Sequence, residues 1–128
     1  MTLSVPTTAL CPEFTVCGQI SVADVAVFAK QGYRSIINNR PDGEGGPDQP
    51  RSADIEAAAK AHGMRYVHYP VPSPMLSADQ IEAYRQACAD LPHPVVAFCK
   101  SGGRASAFFQ ACGGQVGCGI TFKPRTSS

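Results

Sequence analysis

Tryptophan is missing from this 128-residue chain and charge of either sign is scarce, with 11 Lys and Arg against 10 Asp and Glu. The formal net charge of +1 gives no electrostatic case for binding nucleic acid or an acidic membrane surface. No stretch approaches the ~20 apolar residues of a membrane span. Met1 to Leu10 also lacks the basic start and apolar run of a secretory signal. The expectation is a cytoplasmic protein with neither nucleic acid nor a membrane as partner. Hydrophobic residues at 44% and this length can bury one core without a metal or disulfides. One domain over 1–128 is therefore expected, with 1–12 as an N-terminal extension and 113–128 as an irregular tail.

Six cysteines are present, and in a reducing compartment they should be free thiols. Cys11/Cys17 and Cys112/Cys118 repeat a spacing of six, wider than the gaps of structural zinc sites. They read as small buried hydrophobes, and no metal site is expected. Cys88 and Cys112 are the candidates for a resolving thiol.

Strand and helix alternate along the chain. Phe14 to Ile20 reads as a strand, and Ser21 with Asp24 forms a capping box that opens a helix stopped by Gly32. Ser35 to Asn38 is a second strand, running into a loop over Asn39 to Pro50 that is rich in Gly, Pro and Asp. Ala53 to His62 is helical with Gly63 as its stop, and Tyr66 to Tyr69 is a strand. Ser77 to about Leu91 forms a longer helix, and Val95 to Phe98 is a continuous apolar strand of the kind covered on both faces. The order predicts an α/β fold: a single three-layer domain with a mostly parallel central sheet flanked by helices. Ligands in such folds bind beyond the carboxyl ends of the strands.

That is where Cys99 falls, at the start of Cys99-Lys100-Ser101-Gly102-Gly103-Arg104. Adjacent glycines let backbone N–H groups turn toward one point, and the helix beginning near Arg104 aims its positive end there. An anion should sit on the backbone of Lys100 to Ala105, held by the Arg104 guanidinium fork. The same field favours a Cys99 thiolate over the free thiol, whose pKa is about 8.5. Arg40, just past a strand at the presumed active-site edge, is a candidate second anion contact, although an exposed loop arginine reads first as a salt-bridge partner or a solvated side chain. His68 reads as a packed, hydrogen-bonded histidine rather than a base.

Several segments resemble the phosphatase-like domain of beta-lactamase-hydrolase-like proteins, a relative of the dual-specificity phosphatases. They are Val16 to Ile20, Gly32 to Glu44 with its Ile-Asn-Asn-Arg-Pro-Asp block, His68 to Val71, and Phe98 to Arg104. The resemblance implies a protein-tyrosine or dual-specificity-phosphatase-like fold in which Cys99 attacks phosphorus and Arg104 holds the phosphoryl oxygens. Two features depart from protein phosphatases. Four residues rather than five separate cysteine and arginine, and Phe98 stands where histidine is usual. The shorter spacing is similar to that of a rhodanese, and some family members are named sulfur transferases. Ala105 also stands where the family tends to have serine, ahead of Ser106.

Phosphoester hydrolysis needs an acid for the leaving group. Pro70 to Met75 has none, and Asp42, in the matching block, is the best candidate among the acids of the long loop. Sulfur transfer needs no strong acid. The expected activity is a Cys99-dependent phosphohydrolase, with rhodanese-type sulfur transfer through a Cys99 persulfide as the alternative and a non-catalytic oxyanion-binding module as the third reading. The expected partner is a small phosphorylated or sulfur-donor substrate, or a phosphoprotein, and neither mechanism requires a cofactor.

Overall fold

The structure is a computed structural model and describes residues 7–11, 14–70, 77–79, 82–83, 86, 91–92, 94–100, 102–103, 105 and 107. Five strands form one sheet: β1 (Thr7–Cys11), β2 (Phe14–Cys17), β3 (Ser35–Asn38), β4 (Arg65–His68) and β5 (Val95–Phe98), in the order β1-β2-β5-β3-β4. β2, β5, β3 and β4 run parallel, and β1 joins β2 antiparallel. β1 lies within the segment expected to be an extension. It is held by its ladder to β2 rather than by an apolar face, since Thr7, Thr8 and Ala9 are exposed.

Every residue of β2, β3 and β5 is buried. Side chains alternate between the faces of a strand, so both faces of the central sheet are covered, as in other parallel sheets. On one face, Ile36, Val96 and Phe98 meet Val25 and Phe28 of helix α1 (Val22–Lys30) and Ile55 and Ala59 of helix α2 (Ser52–Ala61). Burying each large member of such a cluster stabilises the fold by roughly 1.5–3 kcal/mol.

The helix ends follow from local chemistry. Ser21 Oγ accepts from the Asp24 N–H at 3.2 Å while Asp24 Oδ2 accepts from the Ser21 N–H at 2.8 Å, the reciprocal pair foreseen for α1. At its other end Gly32 takes φ +96°, which lets the Tyr33 N–H return to Phe28 O. The chain then enters β3 with Tyr33 edge-on to Phe28. Of the described residues in the helix expected over 77–91, Ala78, Asp79, Glu82, Ala83 and Gln86 are helical, while Ser77 and Leu91 at its two ends are not. The expected tail, 113–128, lies outside the described residues. Among the described residues no helix is long and apolar enough to cross a membrane.

Candidate active site

Register decides which residues meet at the carboxyl edge of the sheet. Cys17 of β2 and Asn38 of β3 both pair with Phe98 of β5, so the residues that follow emerge side by side. The Cys99 N–H reaches Cys17 O at 3.4 Å, the Asn39 N–H donates to Phe98 O at 2.8 Å, and the Gln19 N–H reaches Lys100 O at 3.4 Å. Cys99 is thereby fixed between the ends of β2 and β3 and is 1% exposed.

The Gly102 N–H donates to Cys99 Sγ at 3.1 Å. Glycine is favoured here because its φ is +94°, a conformation costly for residues with a Cβ; a Cβ would rest in ordinary contact with Cys17 O. Beyond it Gly103, Ala105 and Ala107 have helical backbone. Lys100 is exposed, while Gly102 and Ala105 are buried. Ser101, Arg104 and Ser106 lie outside the described residues.

Cys17 is the thiol carried on the strand next to Cys99. Burial, followed by the Asp24 carboxylate and Cys99, pushes its pKa from 9.0 to about 12. It is a neutral S–H under ordinary conditions. The sequence offered Cys88 and Cys112 as resolving thiols; both lie outside the described residues, and Cys17 was not among the candidates. Neither Cys17 nor Cys99 is joined in a disulfide.

Arg40, expected on the exposed rim, is 6% exposed. Its Nε donates to Glu44 Oε1 at 2.9 Å, its Nη1 donates to Gln19 Oε1 at 3.0 Å, and its Nη2 packs where a Cβ on Gly45 would sit. Its own N–H donates to Asn38 Oδ1 at 2.8 Å, and His68 Nε2 lies 3.0 Å from its carbonyl oxygen. Arg40 therefore staples the loop after β3 to Gln19, whose backbone in turn holds Lys100.

Asp42 stands on the same loop and is exposed. Its Oδ1 accepts from the Ser52 N–H at 2.7 Å, which supplies α2 with the cap that its own N-cap residue, Arg51, does not make. Ser52 Oγ shares a hydrogen with Tyr66 OH at 2.7 Å, and that phenol also accepts from Asn38 Nδ2 at 2.9 Å. Burial pushes the Tyr66 pKa up, opposed by these two hydrogen bonds. A continuous polar chain thus runs from α2 through Tyr66 and Asn38 to Arg40 and Gln19. Sequence reasoning missed Gln19, Tyr66 and Asn39. The available signal was the polar pair Asn38-Asn39, which closes an otherwise apolar strand.

A parallel sheet with a buried cysteine just beyond its central strand, a backbone N–H on the sulfur and a helix starting within the next few residues defines a cysteine-loop α/β domain of the protein-tyrosine and dual-specificity phosphatase type. Solved structures agree on that three-layer fold. A "putative phosphatase" from Neisseria meningitidis superposes with a TM-score of 0.70 at 31% identity, covering 78% of this chain and 70% of that one. A second protein of that description, from Shewanella putrefaciens, gives 0.71 at 23% identity over 83% and 66%. The core catalytic domain of a PP-IP phosphatase from S. cerevisiae gives 0.55 at 9% identity over 75% and 56%, a likeness of fold alone. The chain belongs to the family described as beta-lactamase hydrolase-like protein, phosphatase-like domain, whose pattern matches residues 7–116. Curated relatives named beta-lactamase hydrolase-like protein are 43% identical in Agrobacterium fabrum and 41% in Xylella fastidiosa, each over 93 residues and 73% of this chain. The aligned part is only 21% of those relatives' length.

Proposed function

We propose that this domain is a cysteine-dependent phosphohydrolase. The observation that carries the reading is the Gly102 N–H aimed at Cys99 Sγ from a left-handed glycine. A backbone donor fixed on sulfur stabilises negative charge there without competing for a proton. In the first step Cys99 Sγ attacks phosphorus and the P–O bond to the leaving group breaks. The backbone of Lys100 to Ala105 and the Arg104 guanidinium take up charge on the phosphoryl oxygens. Asp42 gives the leaving oxygen its proton from Oδ2, while Oδ1 keeps the Ser52 N–H. Water then attacks phosphorus and the S–P bond breaks; its proton passes to the Asp42 carboxylate, and inorganic phosphate and the Cys99 thiolate are released. Arg40 acts as the loop staple; as an anion contact it would first have to release Glu44. The substrate is a small phosphorylated molecule or a phosphoprotein. Two cysteines outside any disulfide, in and beside the site, suit the reducing cytoplasm.

A second reading is favoured by the bond between Asp42 and Ser52, which gives the carboxylate a structural task and leaves the acid's place open. In rhodanese-type transfer Cys99 Sγ attacks the sulfane sulfur of thiosulfate, the S–S bond breaks and sulfite leaves with the electron pair. An acceptor thiolate later takes that sulfur from the Cys99 persulfide.

One experiment separates the readings: intact mass after incubation with thiosulfate, beside phosphate release from an aryl phosphate, both with a Cys99→Ser control. Phosphate release lost in the control, with no gain of sulfur, is the expected result. A cysteine-dependent gain of one sulfur without phosphate release would replace it with sulfur transfer. Anion binding without either reaction would leave a non-catalytic oxyanion module.

A further inference from the structure

The loop after β3 leaves the sheet at Asn38 and ends at Ser52, the first residue of α2, and one hydroxyl is bonded to both of those residues. Tyr66 pairs with Ile36 in the parallel ladder, and Asn38 stands two residues further along the same face. The Tyr66 OH lies 2.9 Å from Asn38 Nδ2 and 2.7 Å from Ser52 Oγ. The sense of each bond follows from the donors. The Arg40 N–H can only donate, so Asn38 Oδ1 receives it at 2.8 Å and Asn38 Nδ2 faces the phenol oxygen. That leaves the phenol hydrogen for Ser52 Oγ. Burial, and to a smaller extent the Glu56 and Asp42 carboxylates, raises the Tyr66 pKa above 10.0 against the pull of the two hydrogen bonds, so the hydroxyl keeps that hydrogen at neutral pH. Ser52 in turn donates its N–H to Asp42 Oδ1 at 2.7 Å, the one hydrogen bond of this exposed carboxylate among the described residues. Asn38 and Ser52 are 3% and 7% exposed, so water does not readily replace the phenol for either. A satisfied buried polar chain rigidifies what it joins, and what this one joins is the start and the end of the segment that carries Asp42.

We propose that Tyr66 is a positioning residue whose hydroxyl clamps both ends of the loop after β3 and so holds Asp42 for proton donation to the leaving group. This deepens the phosphohydrolase reading and rests on Asp42 as its acid. Cys99 is held separately, by the ladder bond of its N–H to Cys17 O and by the Gly102 N–H on its sulfur. The clamp therefore acts on proton donation and not on the nucleophile. Its loss is felt in proportion to the leaving group's need for a proton.

The test compares kcat for an alkyl and an aryl phosphate in wild type, Tyr66→Phe, Ser52→Ala and Asp42→Asn. Tyr66→Phe keeps the ring that packs against the core, and Ser52→Ala keeps the N–H that Asp42 accepts. Each should lower kcat for the alkyl phosphate about tenfold, short of the loss in Asp42→Asn, and for the aryl phosphate by less than about twofold. Together they should lose no more than Tyr66→Phe alone, which already removes the shared bond. Alkylation of Cys99 by iodoacetamide should keep its wild-type rate in both. Unchanged alkyl-phosphate hydrolysis in Tyr66→Phe, equal losses on the two substrates, losses that multiply when the variants are combined, or altered alkylation would each overturn the proposal. Should Tyr66→Phe not fold, Ser52→Ala breaks the same bond to Tyr66 and decides it on the same readouts. Asp42→Asn keeps the two readings apart. A leaving-group-dependent loss there with none in Tyr66→Phe would sink the clamp alone, whereas no such loss in Asp42→Asn, or no phosphate release by wild type, would sink the acid and the clamp with it.

Discussion

Replacing Asp42 separates two tasks assigned to one carboxylate. Oδ1 accepts the Ser52 N–H at 2.7 Å and so satisfies one of the four donors that every helix start leaves open. Losing such a cap costs about 1 kcal/mol, which for a domain of this size lowers Tm by roughly 3–5 °C. Asp42→Ala removes the acceptor and should show the full loss. Asp42→Asn retains an Oδ1 in the same place and should lose less than half as much. Catalysis divides differently, because neither variant can supply a proton. If Asp42 is the acid, both should lower kcat for an alkyl phosphate by about 10²- to 10⁴-fold, and by less for an aryl phosphate whose leaving group needs little help. The assays are thermal unfolding and phosphate release on the same preparations. An Asp42→Asn variant that melts as low as Asp42→Ala would refute the cap. Unchanged hydrolysis of the alkyl phosphate in Asp42→Asn would refute the acid and strengthen the case for sulfur transfer.

Three further outcomes follow from the geometry. Cys17 holds its proton in the folded state to about 12 against 9.0 unfolded, so the native state binds more protons than the unfolded one between those values. The stabilisation is complete below about pH 9 and is lost toward pH 12, with a slope of about −1.4 kcal/mol per pH unit for this group. Urea unfolding at about pH 10.5 should therefore cost wild type about 2 kcal/mol more, relative to pH 8, than it costs Cys17→Val; equal losses would show that the thiol is not buried in its neutral form. Gly102→Ala must adopt φ +94° with its Cβ against Cys17 O. It should destabilise the fold by about 1–2 kcal/mol and slow alkylation of Cys99 by iodoacetamide, whereas unchanged alkylation would separate the Gly102 N–H from thiolate stability. Gly45→Ala keeps an allowed backbone, φ −96°, but its Cβ meets Arg40 Nη2. A loss of about 1 kcal/mol should be seen in wild type and vanish in an Arg40→Ala background; a loss that persists there would locate the strain elsewhere.

Much of the frame was legible because it is written in local patterns. The apolar runs of β3 and β5 and the Ser21–Asp24 box have local causes, and the structure reproduces them residue for residue. β2 stops at Cys17 rather than Ile20, since Gly18 begins the bend that brings Gln19 to Lys100. β1 carried no readable signal because Thr7, Thr8 and Ala9 are exposed in succession, without the alternation that marks a half-buried strand. Arg40 was misjudged as exposed for a general reason. A guanidinium is seldom buried unless partners are supplied, and here they come from Gln19, 21 positions away, and from the space left by Gly45. The capping task of Asp42 was not legible because its partner, Ser52, is 10 residues distant.

The deeper limit is that sheet order is not a local property. With β5 between β2 and β3, the final residues of three strands fall in one row, and the peptide groups beyond them continue the hydrogen bonding one step further. Cys99 is held through its N–H by Cys17 O, Asn39 through its N–H by Phe98 O, and Tyr69 through its N–H by Asn38 O. The same ladder that closes the apolar core therefore sets Cys99 level with Asn39, without spending a side chain on the alignment. Had β5 been added at an edge instead, the loop from Cys99 would be unchanged in sequence and its anion cradle could still form. Asn39 and Gln19 would then not flank it. The candidate nucleophile is consequently legible from the loop, whereas the residues that flank it are legible only from the order of the strands.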